Sequence, residues 1–140
     1  QKQATEIAYD PALSGEVRRP QSSFEPVPFG PDKVIARRAA MELCTGDVVN
    51  LGFGISPLVP YILIEEGQGA AVTWAIEQGP VGGVPLLDFA FGCAANAEAF
   101  VPSPLQFTYF QGGGFDMSFL SSMEVDVEGN VNVSKLGKKP

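Results

Sequence analysis

The run Val72-Thr73-Trp74-Ala75-Ile76, closed at once by Glu77-Gln78-Gly79-Pro80, constrains this chain more than any other stretch. Five β-prone, mostly apolar residues that stop on a charge, a glycine and a proline predict a short buried strand with a sharp end. The first charged side chain, Glu77, stands where that strand ends. In an α/β sheet ligands gather at the carboxyl ends of parallel strands, so a carboxylate at this point is placed for chemistry. Gly79, Gly82 and Gly83 leave bare backbone beside it, which permits positive φ and predicts close approach of a substrate.

A second unit of the same kind precedes it. Val48–Leu51 reads as a strand, Gly52-Phe53-Gly54-Ile55-Ser56-Pro57 as a turn, and Leu58–Glu66 as a helix. Strand, glycine turn and helix make a βα unit whose turn lines the same edge as Glu77 if the strands are parallel. The GxG is not a dinucleotide fingerprint, because no third glycine follows at that spacing. Upstream, Asp32 is positioned to cap a helix carrying Val34, Ile35, Ala39, Met41 and Leu43 at helical spacing, ended by Gly46. Downstream, a short helix is expected near Asn96–Phe100, with Asn96 as a cap, and Leu105–Phe110 reads as a strand leading to Gly112-Gly113-Gly114. Asp116–Val125 and Val131–Ser134 read as two more strands joined at Glu128-Gly129-Asn130. The whole predicts an α/β fold, a mostly parallel sheet with flanking helices, over residues 32–140. Residues 1–31 form a polar lead punctuated by Pro11, Pro20, Pro26, Pro28 and Pro31, of the kind that wraps a surface or links domains.

Composition removes several chemistries. The chain has no histidine, so no Ser-His-Asp triad, Cys-His pair or histidine-liganded zinc can be built from it. Cys44 and Cys93 lie far apart without CxxC spacing and read as reduced packing residues, and no metal site is expected. The acidic run Glu124, Asp126 and Glu128 reads as one solvated strand face. The net charge is −7, and no lysine or arginine lies between Arg38 and Lys135, a span that holds eleven acidic residues. Such a surface repels polyanions, so no nucleic-acid partner is expected. No apolar run reaches membrane-spanning length and the amino end is too polar for a signal peptide, which reads as a cytoplasmic protein, or one of the mitochondrial matrix, with no membrane partner.

Four stretches together, in order over roughly residues 30 to 137, carry a resemblance: Asp47–Ser56 (DVVNLGFGIS), Glu77–Pro85 (EQGPVGGVP), Gln111–Leu120 (QGGGFDMSFL) and Gly129–Gly137 (GNVNVSKLG). They are similar to the family I acyl-CoA:carboxylate CoA-transferases, and specifically to the start of the second of two homologous halves. The family commonly has proline where this chain has Ser56. The resemblance implies the CoA-transferase fold, akin to that of sugar-phosphate isomerases, present here as a fragment. It implies that Glu77 is a covalent nucleophile and that coenzyme A is a substrate, with no permanently bound cofactor. Amides of Gly52, Phe53 and Gly54 would border the acyl or pantetheine site, Gly79, Gly82, Gly83 and Asn96 would line it, and those of Gly112, Gly113 and Gly114 would help form an oxyanion hole. Apolar walls from Trp74, Phe53 and Phe115 would exclude water. Expected partners are acyl-CoA, small carboxylates, the polypeptide of the absent amino-terminal half and carboxyl-terminal remainder, and further copies in an oligomer. The isolated chain, short of basic groups for the CoA phosphates, is expected to be inactive. Two rivals are a non-catalytic ligand-sensing domain of the same fold and an acyl-CoA hydrolase using the same glutamate.

Overall fold

The computed structural model describes residues 8–137. Three short strands lie parallel at its centre: β1 (Val48–Leu51), β2 (Thr73–Ala75) and β7 (Met117–Phe119), with β1 in the middle. Two antiparallel additions, β3 (Pro80–Val81) and β6 (Ala99–Phe100), extend the sheet beyond β2 to give the order β6-β3-β2-β1-β7. The sheet is therefore mixed, with its parallel part at the βα unit. The pair β4 (Val84–Pro85) and β5 (Ala94–Ala95) and the hairpin β8 (Glu124–Val125) and β9 (Val131–Asn132) stand apart from it.

One face of the parallel strands carries the core. Val49, Leu51 and Trp74 point to it and meet Val59, Ile62 and Leu63 of helix α2 (Val59–Glu65) and Ala36 of helix α1 (Pro31–Ala40). Burying each of the larger aliphatic side chains contributes about 1.5–3 kcal/mol, so this layer supplies most of the local stability. Helix α1 begins two residues earlier than its pattern suggests. Gly30 is the N-cap, Pro31 fills the first position, and Asp32 sits in the first turn, where its charge suits the helix dipole. It stops at Ala40, well before Gly46, because the Ala39 to Leu43 run turns away through bonds from Glu42 N–H to Ala39 and Leu43 N–H to Ala40. Lys33 of α1 pairs with Glu65 of α2 at 2.6 Å and Arg37 with Glu66 at 2.8 Å, tying the two helices together at the surface.

The segment from 10 to 28 packs against this body. Ala12 and Val27 are buried, and Phe24 meets Tyr61 edge-on at 5.9 Å. Asn96 fixes it: its side-chain Oδ1 accepts from Arg19 N–H and its Nδ2 donates to Arg19 C=O, each at 2.8 Å, while its own N–H donates to Ala12 C=O. Asn96 holds φ +62 in a turn, so the expected helix over Asn96–Phe100 is replaced by that turn and β6.

Leu105–Phe110 belongs to a helix, α3 (Ser103–Gln111), not a strand. Leu-Gln-Phe-Thr-Tyr-Phe alternates like a strand, but Ser103-Pro104 provides a helix start, and the Thr108 hydroxyl donates back to Pro104 C=O at 3.0 Å. The helix is inverted in polarity. Gln106 is its buried residue, while Leu105, Phe107 and Tyr109 face outward. Cys44 and Cys93 are free and both exposed, which corrects their reading as packing residues.

Candidate functional site

Glu77 follows β2 after one residue, Ile76, and enters a tight hairpin to β3. Gly79 N–H donates to Ile76 C=O at 2.9 Å and Ile76 N–H donates to Pro80 C=O at 3.0 Å, with Gly79 at φ +126. That pairing is a three-residue hairpin with a glycine bulge, and it sets the half-buried Glu77 at the carboxyl end of β2. Gln106 of α3 donates from Nε2 to Ile76 C=O at 3.2 Å, pinning the residue before the carboxylate from below.

Three strands converge on this carboxylate. Asn50 of β1 is paired in register with Ala75 of β2 and with Ser118 of β7. Its Nδ2 donates to Ala75 C=O at 3.1 Å and reaches Glu77 Oε2 at 3.3 Å, and its Oδ1 accepts from the Ser118 hydroxyl at 3.0 Å. Because β1 and β2 run parallel, the Gly52-Phe53-Gly54 turn that follows β1 leaves the sheet at the same edge as the carboxylate. Gly52 has little spare room, since a Cβ there would meet the Leu120 side chain at 3.0 Å. Ser56 closes the turn by donating to Gly52 C=O at 2.7 Å, giving the serine a definite task where the family commonly has proline. Gly54 adopts φ +112 against Ser121, whose hydroxyl donates to Phe53 C=O at 3.0 Å. Beside the turn, Phe53, Gly54, Leu58 and Leu87 line a cleft of about 540 Å³ with Val27 and Phe29.

Other expected members of the site serve different ends. The bare backbone at Gly79, Gly82 and Gly83 is met by the chain's own segment 95–101. A Cβ at Gly79 would lie 2.3 Å from Val101 C=O, one at Gly83 2.3 Å from Ala95 C=O, and one at Gly82 2.8 Å from Glu98. The amides of Gly79 and Gly82 already donate, to Ile76 and to Trp74. These glycines shape the hairpin, and Gly82 and Gly83 also border a cavity with Arg18 and Asn96. Gly112, Gly113 and Gly114 lie before β7, at its amino end, so the triple-glycine loop enters the sheet at the edge opposite Glu77. Their N–H groups donate to Thr108, Phe110 and Tyr109 and close the carboxyl end of α3, with Gly113 at φ +87. In this chain they cap a helix, and the structure does not bring them to the carboxylate. Asn96 clasps the 10–28 segment and is occupied there. Trp74 faces the core on the other side of the sheet from Asn50, and Phe115 stacks edge-on with Phe110 at 5.3 Å near the triple glycine, so of the three aromatic walls only Phe53 stands at the Glu77 edge.

Asn50, Ser118 and Gln106 are the members that sequence reasoning missed. The available signal was an amide inside an otherwise apolar strand, where a satisfied polar partner is required. At the other end of the molecule, Asp126 closes the β8–β9 turn. Its side-chain bond from Asn130, helped by backbone N–H groups of Asn130, Glu128 and Gly129, holds its carboxyl below the usual range. Among the described residues no helix is long and apolar enough to cross a membrane.

No family model matches the chain. It is 43% identical over 129 residues to the caffeate CoA-transferase of Acetobacterium woodii, covering 92% of this chain and 25% of that protein. It is 35% identical over 107 residues to acetate CoA-transferase subunit beta of Escherichia coli K12, covering 69% of this chain and 48% of that subunit. Among solved structures, the acyl-CoA transferase YdiF of Escherichia coli O157:H7 superposes as an apoenzyme with TM-score 0.78 at 32% identity, covering 94% of this chain and 23% of that one. The same protein as a thioester complex with CoA gives TM-score 0.73 at 33% identity, covering 94% and 24%. The chain thus spans about a quarter of the length of the caffeate CoA-transferase and of YdiF, and about half of the acetate CoA-transferase subunit. By sequence and by fold, this chain belongs to the CoA-transferases.

Proposed function

We propose that this chain carries the covalent nucleophile of a CoA-transferase, Glu77, and that it acts on an acyl-CoA and short-chain carboxylic acids together with the polypeptide matching the remaining three quarters of its relatives. One observation carries the reading: a half-buried glutamate at the carboxyl end of a central parallel strand, fixed from the neighbouring strand by Asn50. That a relative has been solved as a thioester complex with CoA supports it.

The chemistry follows from the functional groups. A Glu77 carboxylate oxygen attacks the acyl carbonyl carbon; the C–O bond forms, the C–S bond breaks, and CoA leaves as thiolate, giving an acyl-glutamyl anhydride. The thiolate then attacks Cδ of Glu77, the C–S bond forms, and the donor acid departs as carboxylate, leaving a glutamyl-CoA thioester. An acceptor carboxylate reverses both steps. Charge is conserved throughout, so neither a metal nor a general base has to supply or remove a proton. Both steps pass through oxyanions, and both intermediates are vulnerable to water. The Phe53 and Gly54 amides have no backbone acceptor among the described residues and stand at the same edge, which suits them to an oxyanion. The cleft beside them takes the acyl or pantetheine portion. Asp32 and Asp88 also line that cleft, so it does not suit the CoA phosphates, and the nucleotide end is bound by basic groups of the remaining polypeptide.

The test is kinetic. The complete protein should move label from the free donor acid into its acyl-CoA with no second acid present, and should give parallel-line double-reciprocal plots when the acceptor is varied. Glu77→Gln should remove that exchange without lowering the melting temperature. Retention of exchange by Glu77→Gln refutes the reading.

A further inference from the structure

We propose that Asn50 is a further catalytic residue, whose side-chain amide donates to the oxyanion formed at Cδ of Glu77, and that Ser118 is the positioning residue that orients this amide. The proposal rests on the reading of Glu77 as the covalent nucleophile.

Asn50 sits between Val49 and Leu51 in a buried strand, where an apolar β-branched residue would serve the sheet as well. Its amide instead faces two groups that can only accept, Ala75 C=O at 3.1 Å and the Glu77 carboxylate at 3.3 Å. Those acceptors fix Nδ2 toward them and leave Oδ1 to accept from Ser118, at 3.0 Å. A flipped amide would aim oxygen at two oxygens, so the serine hydroxyl on the third strand holds the productive orientation. These contacts join residues 27 and 68 positions apart in sequence through one row of the sheet.

The consequence is that the two carboxylate oxygens of Glu77 are not equivalent. Oε2 is held by Asn50, which leaves Oε1 to attack the acyl carbon. When thiolate then adds to Cδ, the electron pair of the C=O bond moves onto Oε2, beside the Asn50 donor. Collapse restores that C=O bond and breaks Cδ–Oε1, so Oε1 leaves with the donor acid and Oε2 stays on the thioester. The long contact to the free carboxylate is of the kind that shortens as charge develops. An acceptor-only carboxylate neighbour could not do this; a side-chain N–H can.

The experiment measures the single-turnover rate of the Glu77–CoA thioester, the KM for acyl-CoA and the melting temperature, using the complete protein and four variants. Asn50→Ala should slow thioester formation about 10²–10³-fold, the usual loss for one oxyanion donor, with KM changed less than about threefold. Asn50→Asp, which keeps the shape but has no donor, should be at least as slow. Ser118→Ala should slow the step about five- to tenfold, and Ser118→Thr, which keeps the hydroxyl, should restore the original rate. Should Asn50→Ala fail to fold, the Ser118→Ala and Ser118→Thr pair decides. Original rates in Asn50→Asp or Ser118→Ala overturn the proposal, as does a rate loss in Ser118→Ala that threonine does not rescue. If the unmutated protein forms no adduct on Glu77, the underlying reading has failed instead, and the two failures are told apart by that control.

Discussion

Replacing Gly79 by alanine tests whether the glycines of the Glu77 hairpin are there for the chain or for a ligand. Gly79 holds φ +126, and a Cβ would stand 2.3 Å from Val101 C=O, nearer than real Cβ contacts come. The conformational part costs about 1–2 kcal/mol for an L-residue. The carbonyl cannot simply swing aside, because Val101 N–H donates to Gly79 C=O at 2.9 Å and moving one group strains the other. Losing that hydrogen bond adds about 0.5–1.5 kcal/mol, so the total is about 1.5–3.5 kcal/mol. Gly113 is the matched control. Its φ of +87 gives a similar conformational cost, but nothing lies within 4 Å of a Cβ there, so Gly113→Ala should cost only about 1–2 kcal/mol. Urea denaturation of the two variants, with slopes compared to confirm similar transitions, reads the difference. If Gly79→Ala is no more destabilising than Gly113→Ala, the backbone contact does not exist as described and the hairpin glycines are free for another role.

Two further outcomes follow from the same geometry. Asn96→Ala removes both bonds to Arg19 and should cost about 1–3 kcal/mol, with the segment from 10 to 28 becoming the first site of limited proteolysis; an unchanged cleavage pattern would show that the clasp does not hold it. At Glu65, burial works to raise the pKa but is outweighed by the Lys33 ammonium, with Val27 N–H and Arg37 adding to it, so the carboxyl lies below its usual value. A depressed folded-state pKa stabilises above the unfolded value, and the contribution is lost as pH falls through the folded one. Glu65→Gln should therefore lower the melting temperature modestly at neutral pH and converge with the original protein under acid; a gap that persists at low pH would mean the ion pair is not its source.

The βα unit and the placement of Glu77 were legible because each rests on local chemistry. An apolar run that stops on a charge, and a glycine turn between a strand and a helix, need no tertiary information. The helix α3 was not legible, because Leu105–Phe110 alternates like a strand while its buried face is the single residue Gln106. What decides such a segment is which face finds a partner, and the partner here is the carbonyl of Ile76. The roles of the glycines were open in the sequence for a related reason. Sequence shows that Gly79, Gly83 and Gly113 need unusual backbone, but whether their amides are open to a ligand depends on acceptors brought in by folding. Asn50 is the converse case: an amide in an apolar strand announces that it has a partner, but only folding shows that the partners are Ser118 and Glu77. The prolines of the lead suppress periodicity and leave wrapping and linking equally open in the sequence; burial of Ala12 and Val27 packs residues 10–28 onto the body.

The most direct measurement is peptide mass spectrometry of the complete protein after incubation with an acyl-CoA, with and without borohydride. The account predicts a CoA adduct on Glu77 alone, converted by borohydride to the corresponding alcohol. An adduct on another residue, or turnover with Glu77 unmodified at every quench time, would contradict it.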